Sequence, residues 1–149
     1  MINRIASIVF LSVLLDGAAT AAGAPLGCIS GIMLYPSDAP PPVHVCAISS
    51  SDPTSSRCIH LLGGQQRFRI SGLDRGSYVI VAYAVTASVG ARPQWRGGYT
   101  NAVKCGLRVG CDDHTLIEVK VQAEQECTTG VDASDWTSKA DVFPQEPKT

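Results

Sequence analysis

The sequence predicts an all-β protein, an antiparallel β-sandwich of seven or eight short strands held by disulfides. Three observations lead there. Stretches of period-2 alternation recur along the chain, while no window keeps the i, i+3, i+4, i+7 pattern of an amphipathic helix. Clusters of Gly, Pro, Ser and Asp punctuate these stretches at short intervals, as turns do between sandwich strands. Six cysteines, an even number, follow a leader-like N-terminus and read as a disulfide framework.

The elements follow in order. Met1 to Arg4 carries one positive charge, and Ile5 to Leu15 is an apolar run too short to span a bilayer as a helix. Small residues come next, and Ala19-Thr20-Ala21 fits the A-x-A pattern before a signal-peptide cut. Residues 1–21 are therefore expected to be a secretory signal peptide. A cut after Ala24 ranks second, because Pro25 would follow it. Pro25-Leu26-Gly27-Cys28 has the outline of a lipoprotein processing box, but its proline and its distance from the apolar run argue against lipidation of Cys28.

Strands are expected near Cys28–Leu34, Val43–Ser49, Arg57–Leu62, Gln66–Ser71, Ser77–Val85, Trp95–Val103 and His114–Gln122, with a short one at Cys127–Val131. Turns fall at Pro36–Pro42, Ser50–Ser56, Gly63-Gly64, Gly72–Gly76 and Ala87–Pro93. Pro40-Pro41-Pro42 has no place in a central strand. Asp135-Trp136 reads as a strand that docks its tryptophan. Residues 27–136 make up the domain, and 137–149 are polar, proline-containing and expected to form a flexible tail.

Phe68 to Ala82 carries the sharpest local signal. Phe68, Ile70, Leu73, Tyr78, Ile80 and Ala82 alternate or sit at a corner, and Gly72 and Gly76 mark that corner. Tyr78 is placed to pack its ring inward and bond its hydroxyl to nearby backbone. Together with Gly31-Ile32-Met33-Leu34 and Val43-His44-Val45-Cys46-Ala47, this run resembles the carboxypeptidase regulatory-like domains, members of the prealbumin (transthyretin-like) sandwiches. The shared pattern is F-x-I-x-x-L-x-x-G-x-Y-x-V-x-A. The resemblance is specific over residues 27–83 and weaker over 84–136, and the cysteine content departs from many members. It implies a prealbumin-like sandwich and usually a non-catalytic role. The transthyretin-like group also includes hydroxyisourate hydrolase, which relies on histidines, an arginine and a C-terminal Y-R-G-S run. This sequence ends Gln145-Glu146-Pro147-Lys148-Thr149, so that activity is expected to be absent.

The cysteines are expected to pair Cys46–Cys58, Cys105–Cys111 and Cys28–Cys127. The first pair flanks a Ser-rich loop, the second flanks Gly106 and Gly110, and the third remains. Sequence alone leaves other connectivities open. If Cys46 opposes Cys58 in an antiparallel pair, His44 opposes His60 on the same face. Such a pair suits a metal or a pH response, but no third ligand is evident in the sequence, and a plain solvent-facing pair is the favoured outcome. No metal site and no cofactor are expected.

Other chemistry is sparse. The serines cluster in a loop, no G-x-S-x-G elbow exists, and Asp112-Asp113, Asp132 and Asp135 sit in turn-like surroundings. Trp95, Arg96 and Tyr99 form an aromatic cluster that is a candidate recognition patch for protein or glycan, with packing at the end of the core as its rival. The net charge of −1 offers no basic face for nucleic acid, and no second apolar stretch is long enough to cross a membrane. The expected function is that of an exported, periplasmic or extracellular, non-catalytic binding or structural module. The alternative is a small hydrolase or metal-dependent enzyme on the same scaffold.

Overall fold

The computed structural model describes residues 26–85, 94–122 and 127–148. The expected signal peptide with its cleavage sites, and the Ala87–Pro93 turn, lie outside these residues. The described elements are β1 (Gly27–Ile32), β2 (Val43–Ser49), β3 (Ser56–Leu61), β4 (Arg67–Leu73), β5 (Gly76–Ala84), β6 (Arg96–Gly98), α1 (Asn101–Cys105), β7 (Val119–Val121), β8 (Cys127–Thr128) and β9 (Asp135–Thr137).

Two sheets enclose one core. The smaller has the order β4-β1-β8, and the larger has the order β3-β2-β5-β6-β9, with β7 also paired to β5. Strand alternation decides which side chains meet between them. Ile29 from β1 and Phe68, Ile70 and Leu73 from β4 face Val43, Val45 and Ala47 from β2 and Tyr78, Ile80 and Ala82 from β5. The corner between β4 and β5 turns at Gly72, whose φ of 74° favours glycine, and the Tyr78 hydroxyl donates to Asp74 O at 2.9 Å.

The pairing between β1 and β8 is parallel, which departs from the all-antiparallel expectation. Residues beyond β8 continue beside β1, with Val131 N donating to Ser30 O and Ala133 N to Ile32 O. Gly31 makes this close approach possible, since a Cβ there would stand 1.7 Å from Val131 O.

Three expected strands are shorter than the sequence suggests, and of Cys127–Val131 only β8 pairs as a strand. The stretch Trp95–Val103 gives a strand only over β6, and its second half starts α1. Thr100 caps that helix by accepting from Val103 N, and Gly106 at φ 100° ends it. The stretch His114–Gln122 gives β7 plus an isolated bridge from Leu116 to Thr100. For these last two stretches the cause is competition for one edge of β5. β7 pairs its first half, up to Tyr78↔Val119, and β6 takes the second half from Val81↔Gly98.

Residues 138–148, expected as a flexible tail, lie against the outer face of the larger sheet. That face is apolar where β2 and β5 present Cys46, Ile48, Val81 and Tyr83, and Phe143 closes over them with 3% of its surface exposed. The polar composition of the tail concealed this anchor.

Candidate functional site

The outer face of the larger sheet gathers most of the polar chemistry. On β2 and β3, Cys46 stands opposite Cys58 and His44 opposite His60. The disulfide Cys46–Cys58 holds its Cα atoms 4.0 Å apart. Two residues along, the imidazoles of His44 and His60 meet edge to face with ring centres 5.0 Å apart. The disulfide thus fixes the register that brings the histidines together.

The C-terminal segment, here called the strap, completes this site. Glu146 Oε1 lies 2.5 Å from His44 Nδ1, and its other oxygen accepts from Gln94 Nε2 at 2.7 Å. His44, Cys58, Ile59, His60 and Glu146 line a hollow of about 190 Å³ open to solvent. His60 makes no hydrogen bond among the described residues. As the side chains stand, no three His, Cys, Asp or Glu groups there form a ready-made metal site.

The strap is held at three further points. Arg96 donates through one guanidinium nitrogen to Ala140 O and Phe143 O, both at 2.8 Å. The Tyr83 hydroxyl donates to Pro144 O at 3.1 Å and Gln145 O at 3.2 Å. Burial pushes that hydroxyl well above its ordinary pKa, with Arg96 pulling it down and Glu146 pushing it up. The third point is steric. A Cβ at Gly98 would stand 2.7 Å from the Phe143 ring, so the glycine leaves the hollow that the ring fills. Arg96 Nε is buried with no hydrogen-bond partner among the described residues.

This geometry corrects the expected recognition patch at Trp95, Arg96 and Tyr99. Successive residues of a strand face opposite sides. Arg96 is 4% exposed and clamps the strap on the outer face, whereas Tyr99 is 6% exposed and belongs to the core between the sheets. Only Trp95, at 40%, reaches solvent. The glycines between them are seats. Gly97 leaves room for the Trp136 ring, which a Cβ would approach to 2.7 Å, and Gly98 for Phe143. Trp136 belongs to β9 and donates from Nε1 to Leu34 O at 2.7 Å.

A second constellation was not found by sequence reasoning. Asp135, buried at the start of β9, accepts from Thr100 Oγ1 at 2.7 Å through the oxygen that stands 2.8 Å from His114 Nδ1. His114 is otherwise half exposed. Its only sequence signal was membership of a set of three histidines. Of the other acids expected in turns, two are bound into the surrounding structure. Asp132 accepts from Ile32 N, and Asp113 accepts from Thr115 N and Asn101 Nδ2. The Thr115 hydroxyl and amide, then Asn101, hold the Asp113 carboxyl below the usual range.

The remaining disulfides are Cys28–Cys127, which ties β1 to β8, and Cys105–Cys111, which closes the loop after α1. No cysteine is free among the described residues. Three bridges fit an oxidising, non-cytoplasmic compartment. Among the described residues no helix is long and apolar enough to cross a membrane. Set against family models, curated proteins and solved structures, the sequence and fold match none.

Proposed function

We propose that this chain is an exported β-sandwich of the carboxypeptidase regulatory-like, prealbumin-like type, and that it works by contact with a protein partner. The observation that carries this reading is an apolar end of the fold. Leu34, Leu62, Val85 and Trp95 are all exposed there. The pairings Val43↔Leu61 and Val43↔Ala84 set Leu62 and Val85 at the same strand ends. Ala84 N bonds Trp95 O, which brings Trp95 to that end as well. Exposed aliphatic side chains and a tryptophan at one end of the strands are the composition of a protein-contact surface. The disulfides support export, and the tied-up cysteines, acids and arginine support a role without catalysis.

The test is isolation of the native protein with whatever it carries, identified by mass spectrometry. Wild type is compared with Trp95→Ala and with Leu62→Ser. Loss of one protein species from both variants, at unchanged thermal midpoints, is the expected result. Capture that survives both substitutions, or a glycan in place of a protein, overturns it.

A second reading rests on one specific observation. A buried carboxylate that holds a histidine by Nδ1 is half of a hydrolytic triad and leaves Nε2 to act as a base. His114 and Asp135 have that relation, although no hydroxyl or thiol side chain bonds the second nitrogen among the described residues. Ester hydrolysis lost in both His114→Gln and Asp135→Asn would favour it over the contact reading.

A further inference from the structure

We propose that His44, His60 and Glu146 form a binding site for one divalent transition-metal ion of the zinc and copper class, and that the ion fastens the strap to the sheet. The site is separate from the apolar end and does not depend on the contact reading.

The spacing of the imidazoles is the first support. Zinc binds imidazole nitrogen at about 2.0–2.1 Å in a tetrahedral arrangement, which puts the centres of two rings on one ion roughly 5 Å apart. The centres of His44 and His60 are 5.0 Å apart. They are held in that relation by direct strand pairing and by the Cys46–Cys58 bridge beside them, so little backbone order has to be created when an ion arrives.

The third donor comes from outside the sheet. Glu146 already stands against His44 Nδ1, so an ion entering between them replaces the hydrogen bond that joins them. Gln94 holds the second carboxylate oxygen, the kind of outer contact that orients a ligating carboxylate. His60 would have to turn its ring to complete the set, since its nitrogens do not converge with the other two groups as the side chains stand, and no hydrogen bond among the described residues restrains that turn. The hollow these side chains line opens to solvent and leaves space for water as a fourth ligand. Two imidazoles and one carboxylate suit zinc, copper or nickel, whereas calcium and magnesium call for an all-oxygen set.

The consequence for the fold is specific. His44 lies on β2, His60 on β3 and Glu146 on the strap, so one ion would join three segments. It would act on the strap as the Cys46–Cys58 bridge acts on the two strands.

The experiment is calorimetric titration of zinc chloride into the metal-free full-length protein, repeated in His44→Ala, His60→Ala, Glu146→Gln and His114→Ala. All four positions are partly or fully exposed, and thermal melting confirms that each variant folds. One ion per chain is expected, with affinity falling at least about tenfold in the first three variants and unchanged in the fourth. Copper(II) electron paramagnetic resonance adds a readout of the ligands themselves. Two imidazole nitrogens are expected in the wild type and one in His60→Ala. Absence of one-to-one binding, or wild-type affinity in His60→Ala, overturns the site. Wild-type affinity in Glu146→Gln overturns the link to the strap. Loss of binding in His114→Ala would place the ion elsewhere.

Discussion

Replacing Phe143 by alanine tests whether the strap is docked as described. The ring is buried against Val81, Tyr83 and the Cys46–Cys58 bridge and fills the space left by Gly98. Removing roughly 150 Å² of aromatic surface from water stabilises by about 4 kcal/mol at about 25 cal/mol per Å². Buried Phe→Ala substitutions give about 3–5 kcal/mol. Both figures are upper bounds here, because the strap can release as a unit once its anchor is gone. After release Tyr83 and Arg96 regain water, which offsets part of the loss. The expected destabilisation is therefore about 2–4 kcal/mol, read from urea unfolding with the disulfides intact. A second measurement isolates the strap itself. In the wild type the Tyr83 hydroxyl is buried and donates to Pro144 O and Gln145 O, so it resists ionisation when exposed tyrosines titrate near about 10. In Phe143→Ala it should titrate much closer to that value. A loss below about 1 kcal/mol together with an unchanged tyrosine titration would refute the docked strap.

Two further outcomes follow from the same structure. Tyr83 and Tyr78 are both pushed above the ordinary tyrosine pKa, each mainly by burial. Above about pH 10 the unfolded chain releases protons that the folded chain retains, so stability should fall as pH rises from there towards the folded values. Urea midpoints across an alkaline series check the sign, and flat midpoints would contradict it. The paired change Cys28→Ser with Cys127→Ser removes a bridge between residues 99 apart in sequence. In the chain-entropy model it should cost about 4–5 kcal/mol. That exceeds the loss for Cys105→Ser with Cys111→Ser, whose cysteines are 6 apart, and denaturant titration of both pairs ranks them.

Much of the fold was legible because the code for a strand is local. Val43–Ser49 keeps its predicted bounds, since alternation between Val43, Val45 and Ala47 on one face and His44, Cys46 and Ile48 on the other is visible in sequence. The His44↔His60 register was legible for a related reason. A period of 2 carries a cross-strand cysteine pair to the next pair on the same face. What was hidden depends on distant segments. Nothing local shows that β6 and β7 compete for β5, so the strands at Trp95–Val103 and His114–Gln122 were drawn too long. The run Trp95 to Tyr99 read as an aromatic surface because its neighbours, Trp136 and Phe143, lie some forty residues further on. Likewise Asp135 and His114 meet only through the placement of β9, and Glu146 meets His44 across a separation of 102 residues.

The strap also bears on where a partner can bind. A sheet with β2 and β5 buried on both faces would expose Ile48, Val81 and Tyr83 if the strap were absent, and that surface would compete with any other for apolar contact. Phe143 and Val142 remove it from competition. Apart from Leu26 before β1, large exposed apolar side chains among the described residues lie at the strand ends near Trp95 and in the small disulfide loop that presents Leu107 and Val109. Of these two, the strand ends gather exposed side chains from several elements at one end of the fold, whereas the loop offers a single turn. Contact energy depends on a cluster that excludes water around a central anchor. The strand ends bring exposed side chains from more elements, with Trp95 as the proposed anchor, and this is why the substitutions that discriminate the contact reading are placed there and not in the loop.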